Sequence, residues 1–92
     1  MRRTNINAVL KMVSQYLDGQ ISRLDIELDF LYEVEKRYSK MCSEDREYAE
    51  LINDRLLDDG VLIGYDLSDE EFHKLIKRQY EDVFDIADGC FV

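Results

Sequence analysis

Residues 67–76 read LSDEEFHKLI, and this stretch carries the clearest folding signal of the chain. Ser68 is followed three residues later by Glu71, which is the pattern of a capping box, where each side chain accepts a backbone amide of the first helical turn. Leu67 can pack on Phe72 as the hydrophobic staple that accompanies such a box. The stretch therefore predicts a helix that begins at Ser68.

This last helix is predicted to continue to Gly89, because one face stays apolar at helical spacing. The apolar face consists of Phe72, Leu75, Ile76, Val83, Phe84 and Ala87. Upstream, residues 61–67 lack a regular pattern, and Gly64 argues against a regular element. We expect either a short extended segment or a helical turn there, with its apolar side chains folded onto the core.

A preceding helix is predicted to open at Ser43 and to end at Gly60. Glu44 and Asp45 fall in its first turn, where the helix dipole favours negative charge. The expected inner face is formed by Tyr48, Leu51, Ile52 and Leu56.

The second helix is predicted from Ser22 to about Tyr38. Ser22 and Asp25 form a capping box with a shorter acid than usual, and Ile21 can staple Ile26. Its core face was assigned to Leu24, Leu28, Leu31 and Val34, although Ile26, Phe30 and Tyr32 make the apolar surface wider than one stripe.

The first helix is predicted from Ile6 to Asp18, with Thr4 or Asn5 as its N-cap and Gly19 just past its end. One face carries Ile6, Val9, Leu10, Val13 and Leu17. Short connections between four such helices predict an all-α, compact four-helix bundle, formed by a single helical domain over residues 1–92.

No apolar run is longer than three residues, as at 61–63, so the sequence predicts no membrane span. No apolar stretch follows the basic start Met1–Arg2–Arg3, as a secretory signal would require. We therefore expect a cytoplasmic protein with an untrimmed N-terminus. In that compartment Cys42 and Cys90 are expected to be free thiols.

Catalytic and metal chemistry find little support in the sequence. His73 is the single histidine, which we interpret as a surface or boundary residue, and no phosphate-binding glycine loop is present. Acidic pairs are too numerous among 21 Asp and Glu residues to indicate one general acid and base. We predict no enzyme activity, no catalytic residues, no cofactor and no metal.

Negative charge is concentrated in one part of the chain. The net charge is −9, and residues 44–66 hold eight acids against two bases. Such a surface disfavours direct binding to nucleic acid or to anionic membranes, and favours a basic protein partner whose approach it would steer. Two interpretations stay open: a solvated face that maintains solubility, or a docking surface for such a partner.

The candidate docking residues follow helical spacing and then enter the irregular stretch. Tyr65 is expected to be exposed there and to serve as an interface anchor. The predicted partner-binding residues are Glu47, Glu50, Asp54, Asp58, Asp59, Tyr65 and Asp66.

Two parts of the sequence resemble a known family. Residues 17–22, LDGQIS, followed by Asp25 to Tyr32, resemble the start of the colicin-D-type immunity proteins, also called self-protective colicin-like immunity proteins, with relatives in contact-dependent growth inhibition. Residues 56–59, LLDD, and residues 67–75 resemble the acidic loop and final helix of that group. Together the similarity spans residues 10–85, whereas the basic start and the tail from Cys90 have no counterpart.

The resemblance implies a four-helix bundle that neutralises a cognate nuclease toxin, often one that cleaves transfer RNA, by covering its basic active-site cleft with acidic side chains. The matching positions are Asp58, Asp59 and Asp66, with Glu47, Glu50 and Asp54 on the adjoining helix. We thus expect a bacteriocin-type immunity protein that is a monomer or weak dimer when free. The alternatives are a helical adaptor or regulatory subunit of a bacterial complex, and a nucleic-acid mimic that blocks another DNA-handling enzyme.

Overall fold

A computed structural model describes the backbone of residues 3–90 and the side chains of residues 3–87. Its elements are α1 (Thr4–Leu17), α2 (Arg23–Ile52), a π-helix that we call π1 (Asn53–Leu62), and α3 (Asp69–Cys90). The described part of the chain holds only helices and turns, which confirms the all-α class. Arg2, the side chain of Cys90 and the tail that follows it lie outside the described parts.

The predicted count of four α-helices is not confirmed, because the second and third predicted helices are joined in α2. Ser43 does not open a helix: its hydroxyl donates to the Ser39 carbonyl at 3.2 Å, one turn earlier in the same helix. The axis bends instead at Asp45, whose φ of −166° and ψ of 99° are extended. There the Asp45 carboxylate accepts the Tyr48 amide at 3.2 Å, so the local cap lies two residues later than predicted.

The connection from α1 to α2 follows the predicted local signals. Gly19 has a φ of +82°, and the amides of Gly19 and Gln20 donate to Tyr16 and Gln15, which is a Schellman motif. Ser22 then caps α2 in a reciprocal box, because its hydroxyl accepts the Asp25 amide at 3.1 Å and the Asp25 carboxylate accepts the Ser22 amide at 3.1 Å.

The predicted start of α3 is also confirmed, since the Ser68 hydroxyl accepts the Glu71 amide at 3.2 Å. The predicted end is wrong, because α3 passes through Gly89 and reaches Cys90. Glycine lowers helix propensity by about 1 kcal/mol relative to alanine but does not forbid helix.

The predicted core face of α2 is partly wrong. Val34 is buried as predicted and Leu31 packs against the core, but Leu24 and Leu28 are 64% and 67% exposed. Ile26 and Phe30 are buried in their place. Both sets repeat every four residues, so spacing alone could not decide which of them faces the other helices. The buried core also includes Ile6, Val9, Val13, Met41, Ile52, Leu56, Phe72, Ile76 and Val83.

Gly60 does not end a helix but lies buried inside π1, close to α3. A Cβ at Gly64 would lie 2.9 Å from Leu75 Cδ2 and 3.0 Å from Phe72 Cδ1. These two glycines therefore allow π1 and the following turn to pack closely on α3. Residues 61 and 62 end π1 and residues 63–66 form a turn, so the segment is not extended. Val61 is buried as expected, but Leu62 and Ile63 are 43% and 61% exposed, so the prediction that the apolar side chains of this segment fold onto the core is wrong for these two.

Within residues 3–90, none of the helices combines the length and the apolar run needed to cross a bilayer.

Candidate functional site

The predicted acidic residues lie on consecutive elements, from the last turns of α2 to the turn after π1. Glu47 and Glu50 lie on the last turns of α2, Asp54, Asp58 and Asp59 lie on π1, and Asp66 lies in the turn that follows. All six side chains are exposed, and we call them the acidic surface.

The π-helical geometry aligns three of these acids. Hydrogen bonds from residue i to i+5 place more than four residues in each turn, so Asp58 and Asp59 both lie about one turn after Asp54. In an α-helix, with 3.6 residues per turn, Asp59 would instead rotate well away from Asp54. The α-helical spacing of the sequence predicts Asp58 on this face, and the π-helix adds Asp59.

Most of this charge is not neutralised within the chain. Glu50 forms an ion pair with Arg46 Nε at 3.2 Å, but both side chains are more than half exposed, where such a pair contributes little. Among the side chains of residues 3–87, the other five members of the acidic surface form no ion pair. The surface therefore presents a concentrated negative field to solvent.

Glu44, just before the acidic surface, has a different role. Its carboxylate accepts the amide of Asn5 at 2.9 Å, the amide of Ile6 at 3.0 Å and the side-chain Nδ2 of Asn5 at 2.8 Å. These backbone amides belong to the first turn of α1, whose N-cap residue, Arg3, makes no side-chain cap bond. The predicted cap, Thr4 or Asn5, is therefore wrong, and Glu44 caps α1 from 39 residues away.

Electrostatics hold Glu44 in its ionised form. Burial opposes the charge, but the hydrogen bonds from the Ile6 and Asn5 amides outweigh it and lower the pKa of Glu44. Arg37 donates to the Asn5 side-chain oxygen at 2.9 Å and supports the same carboxylate from a distance. Next to it, Asp45 forms an ion pair with Arg3 at 3.0 Å. The first two acids of the segment are thus used to join α1 to α2.

Tyr65 is 72% exposed and is held in place through its backbone. Arg23 donates to the carbonyl oxygens of Gly64 and Tyr65 at 3.2 and 3.1 Å, and its Nη1 pairs with Asp69 at 2.9 Å. The guanidinium also lies 4.4 Å from the ring centroid of Phe72. Sequence reasoning missed Arg23 because these partners are more than 40 residues away.

A groove of about 560 Å³ runs beside Tyr65, between the start of α2 and the turn before α3. Its lining is Ser22, Arg23, Leu24, Glu27, Tyr65, Leu67 and Asp69. The groove lies between Leu24, on the exposed side of α2, and Tyr65 and Leu67, the two residues that flank Asp66 in the chain.

Three other reactive groups lie outside the acidic surface. The half-buried His73 ring donates from Nε2 to the Leu17 carbonyl at 3.3 Å and stacks near Tyr16, as a boundary histidine would. Cys42 is free, and burial together with a hydrogen bond to Cys42 raises the pKa of Tyr38. No group of three or more potential metal ligands occurs among the described side chains.

Comparisons of the chain with protein-family profiles, curated proteins and solved structures found no match. The family resemblance therefore rests on the residues quoted for it. A function has to be inferred from the geometry of the acidic surface. That geometry combines a fixed array of carboxylates with an exposed aromatic ring, which can attract and then contact a basic protein surface.

Proposed function

We propose that this protein is an immunity-type inhibitor that binds a basic nuclease toxin in the cytoplasm and covers its active-site cleft with the acidic surface. The observation that carries the proposal is the row of exposed carboxylates along the end of α2 and π1, of which only Glu50 forms an ion pair among the described side chains. A nuclease cleft must attract phosphates, so it presents the positive charge that such a row would fit.

Rigidity supports the proposal, since a preorganised surface loses less entropy on binding. On the opposite side of π1 from its acids, Leu56, Leu57 and Val61 are buried in the core. Gly60 and Gly64 bring π1 and its turn close to α3. The backbone positions from which Asp54, Asp58 and Asp59 project are therefore set by core packing before a partner arrives.

The bend in α2 bears on the number of helical units in the bundle. Because α2 bends at Asp45, we propose that its two parts pack as separate units, which together with α1 and α3 gives the working architecture of a four-helix bundle. Residual dipolar couplings of the α2 amides would test this, because they report the orientation of the helix axis. We expect two different axis orientations, one on each side of Asp45. A single common axis would contradict the proposal.

Charge reversal at Glu50, Asp54 and Asp59 tests the function directly. The triple change to lysine should leave the helical circular dichroism spectrum intact, since all three side chains are exposed. Association with the nuclease encoded beside the gene should become slower and less salt-dependent, and protection of its RNA substrate should fall.

The matched control reverses Asp18, Glu81 and Asp85, which are exposed and lie outside the acidic surface. If both triple variants weaken binding equally, net charge alone is responsible and the localised interface is wrong. If neither variant changes binding, the acidic surface is only a solvated face.

A second candidate function is a helical adaptor or regulatory subunit of a bacterial complex. The exposed apolar side chains of Leu24, Leu28 and Tyr32 favour it, because soluble monomers seldom expose a contiguous apolar row. Gene context separates the two candidates: an immunity gene follows a toxin gene, whereas an adaptor gene lies among the genes of its complex.

A further inference from the structure

The outer side of α2 carries an apolar row that the fold does not use. Leu24, Leu28 and Tyr32 are 64%, 67% and 62% exposed, and we call them the α2 ridge. They are spaced by four residues, whereas the core contacts of this part of α2 come from Ile26, Phe30 and Val34 on its other side. The ridge is therefore available to a partner without any rearrangement of the core.

The spacing of the α2 ridge indicates which type of secondary structure can pack on it. Side chains at i, i+4 and i+8 form one of the ridges by which helices pack into the grooves of other helices. The groove beside Leu24 and Tyr65 extends this contact area at the start of α2. A helix with an apolar face is the element that fits such a surface.

The charges around the ridge specify the chemistry of that helix. The α2 ridge is surrounded by acidic side chains. Those exposed beside or along the ridge are Asp25, Asp29 and Glu35, and Glu27 lies on the other flank of the ridge. Glu27 is paired with Arg23, and Lys36 lies 5.2 Å from the Tyr32 ring centroid while pairing with Glu33. The remaining unpaired charge is negative, so the flanks of the bound helix should be basic.

A second copy of the chain fits the ridge poorly. Two chains of net charge −9 would bring their aspartates together across the contact. Three side chains also fall short of the roughly 800 Å² per partner that a stable interface buries. The ridge therefore needs additional contact area, which the groove lined by Leu24 and Tyr65 supplies; Tyr65 directly precedes Asp66 of the acidic surface in the chain.

We infer that the α2 ridge, with Tyr65, docks a basic amphipathic helix of the same partner that the acidic surface attracts. This inference rests on the proposed function. It adds a second contact, in which a helix of the partner binds outside the acidic surface. The acids steer the encounter, and the apolar ridge slows dissociation once the helix is seated.

A designed peptide provides the probe. It has about 18 residues, or five helical turns, of leucine and lysine, with leucines at i, i+3 and i+4. Its control has the same composition with alternating leucines, which give no apolar helical face. Fluorescence anisotropy should show tighter binding of the helical peptide. Leu28→Ala should weaken that binding by about tenfold, because the leucine side chain loses its burial.

Phe84→Ala is the matched control for this truncation, since it removes an apolar side chain that is also partly exposed but lies on α3. It should leave peptide affinity unchanged. Equal affinity for the two peptides, or equal losses in the Leu28 and Phe84 variants, would overturn the inference. A dimer that dissociates on Leu28→Ala in sedimentation analysis would overturn it as well, because the occupant would be a second copy.

The two proposals fail in different ways. If reversal of Glu50, Asp54 and Asp59 leaves nuclease protection intact while Leu28→Ala still weakens binding of the peptide, the proposed function fails and the ridge is a helix-docking site. If the reversal abolishes protection while Leu28→Ala changes neither protection nor peptide affinity, the function stands and the ridge inference is wrong.

Discussion

Residues 44–66, the acidic segment, contain two regions whose carboxylates have different roles. Glu44 is half-buried, and its carboxylate accepts the first-turn amides of α1. Three to fifteen residues later, Glu47, Asp54, Asp58 and Asp59 are exposed and form no ion pair within the described side chains. One region uses negative charge to hold two helices together, and the other leaves it free.

The difference shows that the role of a carboxylate is set by the donors it can reach. Glu44 precedes the bend at Asp45 and meets the free amides at the start of α1. Asp54, Asp58 and Asp59, beyond the bend, lie on the outer face of π1, which continues directly from α2, so its amides already have partners in the preceding turn. Their energetic contribution to folding should therefore differ in sign as well as in size.

Truncation of Glu44 gives the largest expected effect. Glu44→Ala removes a charged acceptor from the Asn5 and Ile6 amides, so it should lower the free energy of unfolding by about 2–3 kcal/mol. Urea denaturation followed by circular dichroism measures this change. Glu47→Ala is the control, and it should stay within about 0.5 kcal/mol. Equal effects would abolish the distinction between the two regions.

The pH dependence of stability should reveal the same carboxylate. Because the pKa of Glu44 is lowered in the folded state, its contribution is complete above the ordinary glutamate pKa and is lost as the pH falls through the lowered value. The stability difference between the wild type and Glu44→Gln should therefore shrink as the pH falls from 7 towards 3. A constant difference in thermal melts across this range would contradict the ionised cap.

A local cap should matter less than this long-range one. Ser68→Ala removes one acceptor from the exposed first turn of α3, so it should destabilise the protein by about 1 kcal/mol. Thermal unfolding measures the shift. An unchanged melting temperature would show that the Glu71 amide is equally well satisfied by water.

The smallest effect is expected on the acidic surface, with opposite sign. Asp58→Asn relieves repulsion from neighbouring acids, so it should stabilise the fold by about 0.3 kcal/mol, and this gain should vanish in high salt. Chemical denaturation at two salt concentrations provides the measurement. Destabilisation by Asp58→Asn would mean that its carboxylate takes part in holding π1.

Signals within a few residues of one another allowed much of the fold to be predicted. Ser22, Ser68 and Gly19 mark helix boundaries through bonds to residues no more than five positions away, and all three were placed correctly. The exposure of the acids also agrees with the expectation from sequence. Whether they bind a partner stays a prediction.

The remaining features depend on contacts that helical periodicity does not encode. Leu28 was assigned to the core because it repeats with Leu24, yet Ile26 and Phe30 repeat equally well and are the pair that meets the other helices. Leu28→Ala should accordingly cost little stability. Arg23 and Glu44 act on partners 38 to 46 residues away, and no local pattern distinguishes them from other surface charges.

The cap that Glu44 provides has a consequence for the order in which the chain becomes stable during synthesis. α1 leaves the ribosome first, but the acceptor for its Asn5 and Ile6 amides is made 38 or 39 residues later. A short helix without cap or packing is marginal in water, so α1 should fray until α2 has formed as far as Glu44 and has docked. In a nascent chain that stops before Glu44, α1 would thus remain open to proteases.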